Sequence, residues 1–99
     1  MPNLSVSVPH QLSQDEALTR VKRAIALFYA QYSDKAKIQE SWNGYTGEFS
    51  ASGQGQTVPT TVTVNPGDVT VNVTLPTLAL MFKSKIEATL KDVLTKALA

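Results

Sequence analysis

The chain has one histidine, His10, and its eight carboxylates include two pairs that invite a chemical reading: Asp15 with Glu16, and Glu40 with Glu48. A histidine works as a general base when a partner orients it and a nucleophile or water lies within reach. Converging carboxylates can hold a hard metal ion or cleave a glycosidic bond. Neither pattern is completed here. His10 follows Pro9 at the end of a short apolar alternation, which suits a strand-end or surface role. Asp15 and Glu16 fall where a helix begins, and capping and the helix dipole account for both. Glu40 and Glu48 flank a turn after Trp42 and could approach each other across a hairpin, but the favoured reading for both is a solvated face. The absence of cysteine removes disulfides, thiol catalysis and zinc–thiolate sites together. "SGQGQ", residues 52–56, resembles no phosphate loop, because neither a lysine nor a helix start follows it. The residues therefore assign no catalytic group, no cofactor site and no metal ligand.

Apolar side chains offer more. Phe28, Trp42 and Phe49 are placed where a sheet and a helix would meet, and are the candidates to line a site for an apolar ligand. The run "LALMF", residues 78–82, puts five apolar residues at a strand-to-helix junction, more than one helical stripe needs. Leu78, Leu80, Met81 and Phe82 are the candidate interaction surface.

These residues depend on a regular frame. Leu4, Val6 and Val8 alternate with serines, so a strand with one apolar face opens the chain. Ser13 can cap a helix, and Glu16 can reach back to Ser13's amide. Leu18, Val21, Ile25, Phe28 and Tyr32 then recur at helical steps, with Leu27 on the opposite side. A second strand leads into Trp42 and the turn at Asn43-Gly44, beyond which Phe49 points inward. Val58, Val62 and Val64 form a third strand, where Pro59 demands an edge or a bulge. Asn65-Pro66-Gly67-Asp68 fits a type II turn, and Val69, Val71, Val73 and Leu75 form a fourth strand. A closing helix runs over residues 80–98 with Phe82, Ile86, Leu90, Val93 and Leu94 on one side. The expectation is one α+β domain over residues 1–99: a two-layer, four-stranded, mainly antiparallel sheet with two helices on one face, in the order β-α-β-β-β-α. The Thr, Asn and Ser face of the sheet is left to water.

Nine basic residues against eight acidic give a net charge of +1, so charge makes no case for nucleic acid or an anionic membrane. No window reaches the roughly 20 apolar residues of a transmembrane helix, and the first ten residues lack the pattern of a signal peptide. The cysteine-free composition suits a cytoplasmic protein. A homodimer through the threonine face or an unpaired edge strand is compatible with this pattern.

Four stretches in order resemble a known family. "VPHQLSQDEALTRV", residues 8–21, is similar to its opening strand, histidine and "EA" helix start. "SWNGYTGEFSASGQG", residues 41–55, resembles its Trp-x-Gly turn and Phe-containing strand. "VTVNPGDVTVNVTLP", residues 62–76, resembles its paired strands ending in Leu-Pro, and "FKSKIEATLKDVL", residues 82–94, its closing helix. Residues 30–39 and 53–61 are not distinctive. The family is that of the bacterial polyhydroxyalkanoic acid system proteins, encoded near polyhydroxyalkanoate granule genes. The resemblance implies no enzymatic activity and no catalytic residue to carry over. It implies a cytoplasmic, granule-associated accessory or interaction protein, with the granule surface or granule proteins as partners. The alternative is a small binder of apolar acyl chains near Phe28, Trp42 and Phe49. An acyl-thioester hydrolase or isomerase would require His10 in a cleft beside a carboxylate.

Overall fold

The computed structural model describes residues 3–31, 37–53 and 55–99, apart from the side chains of Leu78 and Ala79. Alternating valines and hydroxyl residues produce strands at Asn3–Pro9 (β1), Lys37–Asn43 (β2), Thr46–Gly53 (β3), Gln56–Val64 (β4) and Asp68–Thr74 (β5). Helical spacing produces Gln14–Ala30 (α1) and Lys83–Leu98 (α2), and a 3-10 helix at Thr77–Phe82 leads into α2. All strand pairs are antiparallel, in the order β1-β5-β4-β3-β2.

The α+β class, the antiparallel sheet and the two helices agree with the sequence expectation, but the sheet has five strands rather than four. The extra strand comes from the turn after Trp42. Gly44, at φ 63°, takes a left-handed conformation that an L side chain resists. The chain reverses there within two residues, pairing Asn43 with Thr46, and both flanks become full strands. Gly67 does not adopt the left-handed conformation that a type II turn requires at its third position. The β4–β5 connection is closed instead by Asn65 N–H to Asp68 O at 2.8 Å, and by the Asn65 amide to the Asp68 carboxylate at 2.7 Å.

Pro59 lies in β4, which has neighbours on both sides. The β4–β5 ladder stops at Thr60, so Pro59 is paired only with Ser50 of β3 and sits at a local edge. The missing N–H therefore costs no ladder bond. The closing helix also starts later than expected: residues 80–82 belong to the 3-10 helix, and α2 begins at Lys83. α1 ends at Ala30, and Tyr32 lies outside the described residues.

Strand alternation sends Leu4, Val6, Val8, Phe49, Val62, Val64, Val69, Val71 and Val73 to one face, where they form a single buried cluster with Ala17 and Val21 of α1 and Leu94 and Leu98 of α2. Each such aliphatic side chain contributes about 1.5–3 kcal/mol against exposure. The other face is polar across all five strands: Ser5, Asn72, Thr61, Glu48 and Ser41 lie abreast, as do Ser7, Thr70, Thr63 and Thr46.

Candidate functional site

α1 and α2 cover the sheet unevenly. The first half of α1 and the last half of α2 supply the buried helical residues Ala17, Val21, Leu94 and Leu98. The Arg20 guanidinium donates to the carbonyl of Ala99 at 2.6 Å, which ties these two halves together. At the opposite end Ile25, Phe28 and Tyr29 of α1 and Ile86 and Leu90 of α2 are only half-buried. They face each other across an apolar groove of about 560 Å³, floored by β3, β4 and β5. That volume falls within the roughly 300–1,000 Å³ of small-molecule sites.

The groove has a local cause. On its floor β3 and β4 present Ala51, Val58 and Thr60, short side chains where leucine or phenylalanine would close the gap. Ala51 pairs with Val58, and Thr60 pairs with Phe49 and Val73, so they sit side by side. Phe49 and Phe28, two of the three ligand-lining candidates, line this groove. Trp42 is one layer behind. Its ring meets Phe49 edge-on at 5.6 Å, and Phe49 in turn meets Tyr29 at 5.7 Å. Trp42 lies flat over Gly47, where an added Cβ would be 2.8 Å from the indole. Its N–H donates to Glu40 at 2.6 Å, and the Lys22 ammonium rides 5.0 Å from the ring centroid.

Polar groups in the lining are few. Tyr29 stands next to Thr60; burial, the largest cause, pushes its phenol above the ordinary value, the Thr60 hydroxyl offsets part of this, and the Glu40 charge adds to it. Thr89 donates to the carbonyl of Lys85 at 2.9 Å. Among the described residues Lys85 is the one charged residue of the lining, and it is exposed. The sequence pointed to aromatic walls but missed Tyr29, Thr60, Lys85, Ile86 and Leu90, which read as ordinary stripe or surface. The signal was the set of short residues facing the two stripes.

The chemical candidates separate. His10 is buried, not on the surface. Its Nδ1 accepts from Leu12 N–H at 3.1 Å, so Nε2 carries the proton and donates to Asn65 O at 2.9 Å. Both ring nitrogens are committed to backbone, and no carboxylate among the described residues orients the ring. Glu40 and Glu48 are both exposed, in line with the solvated-face reading, and they do not converge. Glu40 is paired with Phe49 and shares the groove-side face, whereas Glu48 is paired with Ser41 on the polar face. A cross-strand step of one residue in antiparallel pairing reverses the face. Ser13 Oγ accepts from Glu16 N–H at 3.1 Å, as a cap should, but the Glu16 carboxylate engages Arg20 at 3.2 Å. Asp15 accepts from the Tyr45 hydroxyl, a bond that raises the Tyr45 pKa. Among the described residues no cluster of three or more metal-ligating side chains occurs.

Of the interaction candidates, Leu80, Met81 and Phe82 are exposed, Met81 to 81%. Phe82 also lines the groove, so the patch adjoins its rim. The side chain of Leu78 lies outside the described residues. Among the described residues no helix is long and apolar enough to cross a membrane.

No curated protein matches the chain. Among solved structures it is similar to the crystal structure of TTHA0849 from Thermus thermophilus, at 10% identity and a TM-score of 0.37 over 98% of this chain and 94% of that one, too distant to speak to function. A family model described as "Putative polyhydroxyalkanoic acid system protein" matches residues 4–98, nearly the whole fold. The chain belongs to this polyhydroxyalkanoic acid system family.

Proposed function

We propose that the protein is a non-enzymatic accessory of the cytoplasmic polyhydroxyalkanoate system that binds an apolar acyl or hydroxyacyl chain in the groove between its helices. The observation that carries this reading is the groove itself: about 560 Å³ of apolar space in a chain of 99 residues. A small core gains stability by closing such a space, so an opening built from Ala51, Val58 and Thr60 has a use. Family membership supplies the chemical context. The non-enzymatic reading is supported by His10, whose two nitrogens are held by backbone, and by Glu40 and Glu48 facing opposite ways. Trp42 is the single tryptophan, and it reports on Phe49. Titration with medium-chain 3-hydroxy acids and their methyl esters should therefore change its fluorescence saturably. An unchanged spectrum, with no heat of binding, would remove the reading.

The exposed Leu80, Met81 and Phe82 support a second reading, in which this edge touches the granule surface or a granule protein. In cells accumulating polymer, the protein should co-sediment with granules, and Met81→Lys should shift it to the soluble pool. A protein found only in the soluble pool contradicts that reading and leaves the groove untouched.

A further inference from the structure

We infer that the groove selects a carboxylate-ended chain and orients it, with the acidic head at Lys85 and the tail running towards Phe49; this rests on the acyl-binding reading above. The lining sorts into a long apolar wall and two polar spots of different character. On the α1 side Tyr29 stands beside Thr60, and burial raises the phenol's pKa above its ordinary value. On the α2 side Lys85 brings a positive charge. Neither ion pair among the described residues uses it: Glu16 is taken by Arg20, and Asp92 by Lys96.

The β2 flank carries both signs, with Glu40 bonded to the Trp42 N–H and Lys22 over the Trp42 ring. Glu40 of β2 is directed to the groove side of the sheet by its pairing with Phe49, and its charge is felt at Tyr29. Neither Glu40 nor Lys22 lines the groove, whereas Lys85 does, so an anionic head is drawn to α2. The tail fits only between, against Ile25, Phe49, Val58, Val73, Ile86 and Leu90. Charge complementarity at one end and apolar fit along the rest define the ligand class: a linear aliphatic acid. Lys85 is exposed, so the charge pair forms at the mouth and is sensitive to salt.

The experiment is calorimetric titration of the whole chain with decanoate, below its micelle concentration, and with methyl decanoate, which keeps the chain and loses the charge. Decanoate should bind several-fold tighter than the ester at low salt, and shortening the acid should weaken binding by about fourfold per methylene. Lys85→Met should remove the preference for acid over ester while leaving ester binding unchanged. Lys85→Arg should keep the preference, and Lys83→Met, outside the groove lining, should not alter it. Equal affinity of the wild-type protein for acid and ester overturns the head-group assignment and spares the groove. Equal weakening of both ligands by Lys85→Met also overturns it, because that is loss of packing rather than charge. Binding of neither ligand overturns this inference and the acyl-binding reading together.

Discussion

The two ends of the helix layer are built from similar residues and end in different states. At the closed end Val21, Val64 and Val69 exclude water almost completely. At the open end Ile25, Phe28, Ile86 and Leu90 carry equally apolar side chains and remain half-buried around a groove. Hydrophobicity alone does not separate them. The facing sheet residues do: branched valines pack with Val21 and Leu94 at one end, while Ala51 and Thr60 leave a space at the other. Helix stripes thus announce that something will be covered, and the size of the residues opposite decides whether protein or ligand covers it.

Truncation should separate the ends most strongly. Leu98→Ala leaves a cavity in closed packing and should cost about 2–5 kcal/mol. Leu90→Ala enlarges a space that already exists and should cost about 1 kcal/mol. Urea denaturation of the two variants measures the contrast, and equal losses would mean that the groove is collapsed in solution. Enlargement tests the same contrast from the other side. Val64→Phe overfills the closed end and should cost about 1–3 kcal/mol. Val58→Phe can extend into the groove and should stay within about 0.5 kcal/mol of the wild type while abolishing acyl binding. Thermal melts with and without decanoate distinguish these outcomes.

The frame of this molecule was legible because valine alternation and the 3.6-residue stripes each have one interpretation. β4 and β5, both helices, the Ser13 cap and the polar outer face follow from local spacing. The β2–β3 hairpin was harder, since Lys37, Gln39, Glu40 and Ser41 dilute the alternation, and strand status there comes from pairing with β3 rather than from composition. The groove was only partly legible. Phe28 and Phe49 were recognisable as aromatic walls. The register that lays Ala51 beside Val58, and Thr60 beside Phe49, is a tertiary fact that spacing along one strand does not contain. The register between β2 and β3 likewise puts Glu40 and Glu48 on opposite faces, and it dissolves the hairpin carboxylate pair that suggested chemistry.

The smallest effect concerns Tyr29 at the groove wall. Its folded pKa lies above the unfolded value of 10.0, so its contribution to stability is fully present below pH 10.0 and is lost as pH rises through the folded pKa. Tyr45 acts in the same direction through Asp15. Tyr29→Phe should therefore lessen, without removing, the alkaline fall in the urea midpoint, while Tyr29→Phe with Tyr45→Phe should lessen it further. An unaltered fall in Tyr29→Phe would mean that water reaches the phenol freely.

The most direct measurement is a methyl NMR titration with decanoate. Signals of Ile25, Val58, Val73, Ile86 and Leu90 should shift saturably, while those of Val8, Val64, Val69 and Leu98 stay in place. Shifts of equal size at both ends, or none at the groove methyls, would contradict a molecule with one sealed end and one end made to be filled.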